Sequence, residues 1–167
     1  PYLYGILFVS ELYRSGGWAA VNAAYSDPPK STEQIMHPEK YYGSRDDPVL
    51  VTLQDVAAAL GTGWTEMDSD VLGEFVLKLY LEAFLSSAEA SQAAAGWGGD
   101  HYSFLKDSAG RKAFLLETKW DTANDAAEFY NACISRAQKK SGDNSTATTR
   151  GNNYASWQSD GYTHRLK

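Results

Sequence analysis

Cysteine is nearly absent. The single Cys133 among 167 residues excludes an internal disulfide and any Cys-rich metal site. Histidine is scarce too, with His37, His101 and His164 far apart in the chain, and no HExxH string places two of them one helical turn apart as a zinc peptidase helix requires. No apolar run approaches the roughly 20 residues of a membrane span; the best stretch, Tyr2 to Val9, is short and contains Gly5. No basic segment followed by an apolar one opens the chain, so a signal peptide is not expected within it. Basic residues are outnumbered, 15 against 21 acidic, for a net charge of −6. That balance disfavours a phosphate backbone as a partner. There is no GxSxG elbow for a serine nucleophile. The glycines of Gly96-Trp97-Gly98-Gly99 lack the following lysine and helix of a phosphate loop.

What is abundant is aromatic: 11 Tyr, 5 Trp and 6 Phe. Such side chains staple cores and also line interfaces. Trp18, Trp64, Trp97 and Trp157 are candidate glycan-stacking residues on the second reading.

Periodicity and punctuation give an α+β chain: N-terminal helices, then a small antiparallel sheet packed on one long helix. Tyr4 to Arg14 reads as a helix apolar on most of its circumference, which asks for cover on more than one side. Ser15-Gly16-Gly17 ends it, Trp18 to Tyr25 reads as a second helix, and Asp27-Pro28-Pro29 stops that. Ser31 and Gln34 match a capping box. Leu50 to Leu53 is expected to be a short strand, Gln54 to Leu60 helical, and Trp64 to Met67 extended. Asp70 is expected to cap a helix from Val71 to Ser86, with Ala88 to Ala95 extending it or linking onward. Gly96 to Asp100 reads as a turn. His101 to Lys106 and Lys112 to Trp120 form a hairpin, and Asp121 to Lys140 a helix boxed by Thr122 and Asp125. Its apolar stripe carries Cys133, which is therefore read as core. Ser141 to Asn153 is polar and read as a flexible loop, with a glycosylation tripeptide at Asn144. A last hairpin turns at Asp160-Gly161. The division expected is a helical part, 1–95, and a β-β-α-β-β part, 96–167, in one compact unit or a piece of something larger.

No complete active site emerges from these residues. Glu33 and His37, four apart, could chelate a metal on a helix, but no third ligand is identifiable. Hydrogen bonds that hold a turn are the favoured explanation of the pair.

Four strings occurring in order, PYLYGILFVSELYRSGGWAAVNAAYSDPPKSTEQIMHPEKYY, VLGEFVLKLYL, AAGWGGDHY and KWDTANDAAEF, resemble a family of secreted, often lipoprotein, bacterial and archaeal zinc metallopeptidase-like proteins. The similarity runs from Pro1 to Phe129. It implies an extracellular or cell-surface location. In that family the HExxH helix and third zinc ligand lie upstream of the PY-x-x-G segment. The resemblance therefore implies no catalytic residue and no metal ligand here, with zinc expected only where the upstream half is present. It carries over Ser31, Thr32, Glu33, Gln34, His37, Pro38, Glu39 and Tyr41 of the motif loop, Gly73-Glu74, and Gly96 to Asp100, as scaffold or substrate-cleft elements. Ser31, Glu33, His37, Glu39, Tyr41, Trp97 and Asp100 are the candidate binding residues. His101 departs from the family's more frequent Arg. Three accounts stay open: a processed fragment bound to its other half, a shortened homologue, or part of a longer polypeptide. The expected function is the non-catalytic C-terminal part of an extracellular metallopeptidase-like protein. The alternative is a non-enzymatic assembly or binding subunit of a filament or surface complex. The expected partner is the missing N-terminal half, another subunit or a second copy covering the Tyr4–Arg14 helix.

Overall fold

A computed structural model describes residues 2–54, 56–141, 149–151, 154–159 and 162–166. The class is α+β. In chain order the helices are α1 (Tyr2–Ser26), α2 (Thr32–Met36), α3 (Glu39–Tyr42), α4 (Val56–Leu60), α5 (Gly73–Glu82), α6 (Ser87–Ala94) and α7 (Ala123–Ser141). The strands are β1 (Trp64–Asp70), β2 (Trp97–Asp107), β3 (Lys112–Trp120), β4 (Thr149–Gly151), β5 (Tyr154–Ser159) and β6 (Tyr162–Leu166). No helix is long and apolar enough to cross a membrane among the described residues.

The chain folds into two compact units, each made of two stretches of sequence. One comprises 1–76 and 96–121, the other 77–95 and 122–167, so the division falls inside α5.

In the first unit α1 consists of two arms broken at Gly16 and Gly17, whose backbone is non-helical. This is the break that Ser15-Gly16-Gly17 announces. Phe8, Leu12 and Val21 bury one stripe of the arms against Ile35 and Tyr41, and Tyr41 meets Phe8 edge to face at 5.2 Å. The antiparallel sheet runs β1-β2-β3. Its β2–β3 register sets Tyr102 opposite Leu116 and Phe104 opposite Phe114, with Leu105 fully buried.

Of the turn expected at Gly96–Asp100, Gly96 does turn, with φ +76°, but Trp97 to Asp100 are the start of β2, with a register shift between Trp97 and Gly99. Gly98 and Gly99 serve closeness of approach rather than a reversal. A Cβ on Gly99 would collide with the Val49 carbonyl oxygen, and Val49 N donates to Gly98 O at 2.7 Å. Residues 49–54 are not a strand, contrary to expectation. They are pinned to β2 through that bond and through His101 Nδ1, which donates to Val51 O at 2.9 Å. With that proton on Nδ1, Nε2 accepts from Ser69 Oγ at 2.9 Å.

In the second unit α6 is a separate helix, neither a tail of α5 nor a linker. Ser86 caps it in a reciprocal box with Glu89. α6 lies alongside α7. The α7 stripe buries Phe129, Cys133, Ile134 and Ala137, and the Thr122–Asp125 box forms as read, with Thr122 N on Asp125 Oδ2 at 3.0 Å. Burial pushes the Cys133 thiol up to about 12, as expected of a core cysteine. Arg136 donates to Tyr80 O at 2.6 Å and lies 3.8 Å above the Tyr80 ring. A second sheet runs β4-β5-β6. Its strand β4 falls in the stretch expected to be loop. The rest of that loop, Asn144 and the Asp160-Gly161 turn lie outside the described residues.

Candidate functional site

The site residues are brought together by short helices, which pack on α1 through Ile35 and Tyr41 and are held otherwise by polar ties. Ser31 caps the five-residue α2, its side chain accepting from Gln34 N. The box is half formed. Gln34 is fully buried and turns outward from its helix: Oε1 accepts from Lys30 N at 2.7 Å, while Nε2 donates to Asp46 O at 2.7 Å and Asp47 Oδ1 at 3.1 Å. Gln34 thereby fastens the segment after α3 to the segment before α2. Arg45 completes this edge with Asp27 at 2.5 Å and Asp47 at 2.8 Å. Arg45 foremost, then Lys30, hold the Asp47 carboxyl well below its usual range.

Pro38 starts α3, which carries Lys40 inward. Lys40 Nζ sits 2.6 Å from Glu33 Oε1, 2.9 Å from Asp46 Oδ2 and 2.8 Å from Asp121 Oδ2. Among the described residues Glu33, Asp46 and Asp121 form the only group of carboxylates close enough together to hold a metal ion. The ammonium occupies their shared centre. Burial alone would lower the Lys40 pKa, but the three carboxylates overcome it and raise it. One positive charge faces three negative ones. Glu33, 1% exposed, is the costliest to keep ionised, and burial pushes its carboxyl up to about 7 against the pull of Lys40.

The His37 ring does not join the Glu33 carboxylate. Its Nε2 donates to Glu74 Oε1 at 2.9 Å, and Nδ1 lies 3.8 Å from the exposed Glu39. The Glu74 hydrogen bond raises the His37 pKa against burial. Glu74 Oε2 is buried without a hydrogen-bond partner. The Glu33 and His37 side chains, weighed as a chelating pair, are split, one to Lys40 and the other to Glu74, while His37 N donates to Glu33 O at 2.7 Å and closes the turn. Tyr41 is half-buried and donates through Oη to Asp27 O at 2.5 Å, with Arg45 over its ring at 5.1 Å.

The first turn of α5 is where the motif loop and the Gly96–Asp100 strand converge. A helix start leaves backbone N–H groups unpaired, and here side chains from three places take them. Asp70 Oδ1 accepts from Val71 N at 2.8 Å. Asp100 accepts from Leu72 N at 2.7 Å and Gly73 N at 2.8 Å. Thr32 Oγ1 accepts from Phe75 N at 3.2 Å. The cap expected from Asp70 is thus supplied mainly by Asp100, from a strand 27 residues on. Asp100 is buried and takes a third bond, from Trp97 Nε1 at 2.8 Å. Gly73 is required at the junction: its φ is +76°, and a Cβ would stand 2.5 Å from Thr32 Oγ1.

The candidate residues thus fall into three clusters in the first unit. Glu33 belongs to the Lys40 cluster, Ser31 and Tyr41 to the ties around α2 and α3, and His37, Trp97 and Asp100 to those around α5. Glu39 lies at the exposed rim beside His37. Sequence reading missed Lys40, Asp46 and Asp121 as members, and named Thr32 only as an element of the motif loop. The signal for Lys40 was its position inside HPEKY, seven residues after Glu33. As to stacking surfaces, Trp97 is buried, Trp64 is half-buried under Arg111 at 5.6 Å, and Trp18 is exposed; the Trp157 side chain lies outside the described residues.

No curated protein and no solved structure matches the chain significantly. A family model described as a domain of unknown function, DUF8575, matches residues 59–166. That range takes in β1, α5, the Trp97–Asp100 strand and Asp121, while the motif loop at 31–41 precedes it. The match covers well over half of the chain, which therefore belongs to the DUF8575 family.

Proposed function

We propose that this chain is a non-catalytic scaffold module, within an extracellular metallopeptidase-like protein whose zinc chemistry resides elsewhere. The observation that carries the reading is the seat of Lys40 Nζ, within 2.9 Å of all three carboxylates that could otherwise receive a metal. The same logic governs α5. The amides of Leu72, Gly73 and Phe75 at its start, an anion-binding feature when open, are spent on Asp100 and Thr32. The residues that carry the resemblance act as a polar lock joining α2, α3, α5 and β2, and in a larger protein such a lock would hold a cleft wall in shape. The ordered strings from Pro1 to Phe129 support the metallopeptidase-like setting.

Incubating the purified chain with zinc and a peptide library tests the reading. No chelator-sensitive hydrolysis is expected. Turnover abolished by chelator and by Glu33→Gln or His37→Ala would overturn it. A second reading, a binding or assembly subunit, is favoured by the exposed apolar side chains of the first α1 arm.

A further inference from the structure

A serine and a histidine meet on the sheet of the first unit, and neither belongs to the clusters around Lys40 and α5. Ser69 lies on β1 opposite Ser103 of β2. His101 precedes Ser103 by two residues, so it is the diagonal neighbour of Ser69 on the same face. Ser69 Oγ donates to His101 Nε2 at 2.9 Å. The other ring nitrogen, Nδ1, lies 2.9 Å from Val51 O. A carbonyl oxygen only accepts, so Nδ1 carries a proton, and the neutral ring presents the Nε2 lone pair to the Ser69 hydroxyl. Val51 is 3% exposed, which shields its carbonyl bond from competing water. A buried acceptor thus fixes the tautomer and orientation of the ring, the part that a carboxylate plays in a serine triad. Ser69 itself is exposed, so a reagent can reach its oxygen.

We propose that Ser69 is a nucleophilic serine, with His101 as its general base, and that it captures the acyl group of a neutral activated ester. Ser69 Oγ bonds to the ester carbonyl carbon while its proton passes to His101 Nε2. The bond from that carbon to the leaving oxygen breaks, and the leaving oxygen takes the proton from Nε2. Nothing is oxidised or reduced, and the ring ends neutral. The surroundings select the donor. Asp68 and Asp70 flank Ser69 in the chain; Asp68 accepts from Tyr102 Oη at 2.6 Å and Asp70 from Val71 N at 2.8 Å, neutral donors that leave both negative charges in place. These charges repel phosphate-bearing acyl donors. The segment that supplies Val51 O also exposes Val49 and Leu50, an apolar flank suited to a hydrocarbon acyl group. The claim is capture of one acyl group rather than turnover, and it holds whether or not the module is a scaffold.

The test is incubation of the full chain with p-nitrophenyl butyrate, followed by intact mass and peptide mapping. One butyryl group per chain is expected, on Ser69. It should be insensitive to chelator, which separates it from the zinc-dependent hydrolysis that would overturn the scaffold reading. Ser69→Ala should abolish it. His101→Asn keeps an amide donor for Val51 O but supplies no base, and should slow it at least about 100-fold. Thermal melts of both variants serve as the folding control. The wild-type chain in urea gives a comparison that needs no variant: with the pair dispersed, Ser69 should react no faster than the other serines. An unmodified Ser69 at millimolar ester overturns the proposal. So does a Ser69 that reacts as fast in urea, or in a folded His101→Asn chain, as in the folded wild type. Acetyl phosphate matching the ester at Ser69 would overturn the donor class.

Discussion

Lys40 is the residue on which the first unit turns. An ammonium taken out of water gains enough attraction only where its partners are close and their remaining charge is managed. Here Asp46 and Asp121 are partly exposed, while Glu33 is not. Lys40→Met leaves the Glu33 carboxylate buried without its cation and should cost about 3 kcal/mol. Urea unfolding followed by tryptophan fluorescence would measure it. Protonation offers a second handle. Glu33 is raised to about 7 and His37 is raised above its ordinary value. An acid held above its unfolded pKa favours the fold while protonated, and so does a histidine held above its own. Both contributions are full below the unfolded values and fade as pH rises through the folded ones. Asp47, lowered by Arg45 and Lys30, acts oppositely, losing its contribution only in strong acid. Stability of the first unit should therefore be greatest near pH 5 and decline from about pH 5 to 8. Glu33→Gln should flatten that decline in thermal melts taken at each pH; an unchanged slope would assign it elsewhere.

Elements show most plainly which parts of the fold were readable beforehand. The α7 stripe, the Thr122–Asp125 box, the arms of α1 and the β2–β3 hairpin follow from local periodicity and capping, and all were legible. The start of α5 was not. Its cap comes from Asp100, whose carboxylate reaches it from β2, and no local pattern announces an acceptor 27 residues away. For the same reason the turn that is real at Gly96 was expected to run on to Asp100, since Gly98 and Gly99, required by a passing backbone, resemble glycines required by a reversal. The Ser86–Glu89 box was legible but was overlooked beside the alanine-rich tract that follows it. Asp100→Ala should cost about 3 kcal/mol, because it uncaps α5 and leaves the buried Trp97 N–H unpaired. Ser86→Ala, losing an exposed cap alone, should cost about 1 kcal/mol. Comparing the two in denaturant titrations separates a buried tie from a surface one. If the costs are equal, Asp100 is no more than a cap.

At the scale of the molecule, two compact units interleave along one chain, and the DUF8575 match reaches into both. On the proposed reading, the polar motif residues that tie one end of α5 to α2 and α3 act as fasteners. The central claim, that Lys40 closes the carboxylate cluster as a structural lock, is tested most directly by a double-mutant cycle. It comprises Lys40→Met, Glu33→Gln and their combination, each unfolded in urea with and without zinc or magnesium. The account predicts a coupling of about 2 kcal/mol between the two positions and no stabilisation of the wild-type chain by either cation. A coupling near zero, or a wild-type chain stabilised by the cation and losing that gain in Glu33→Gln, would contradict it.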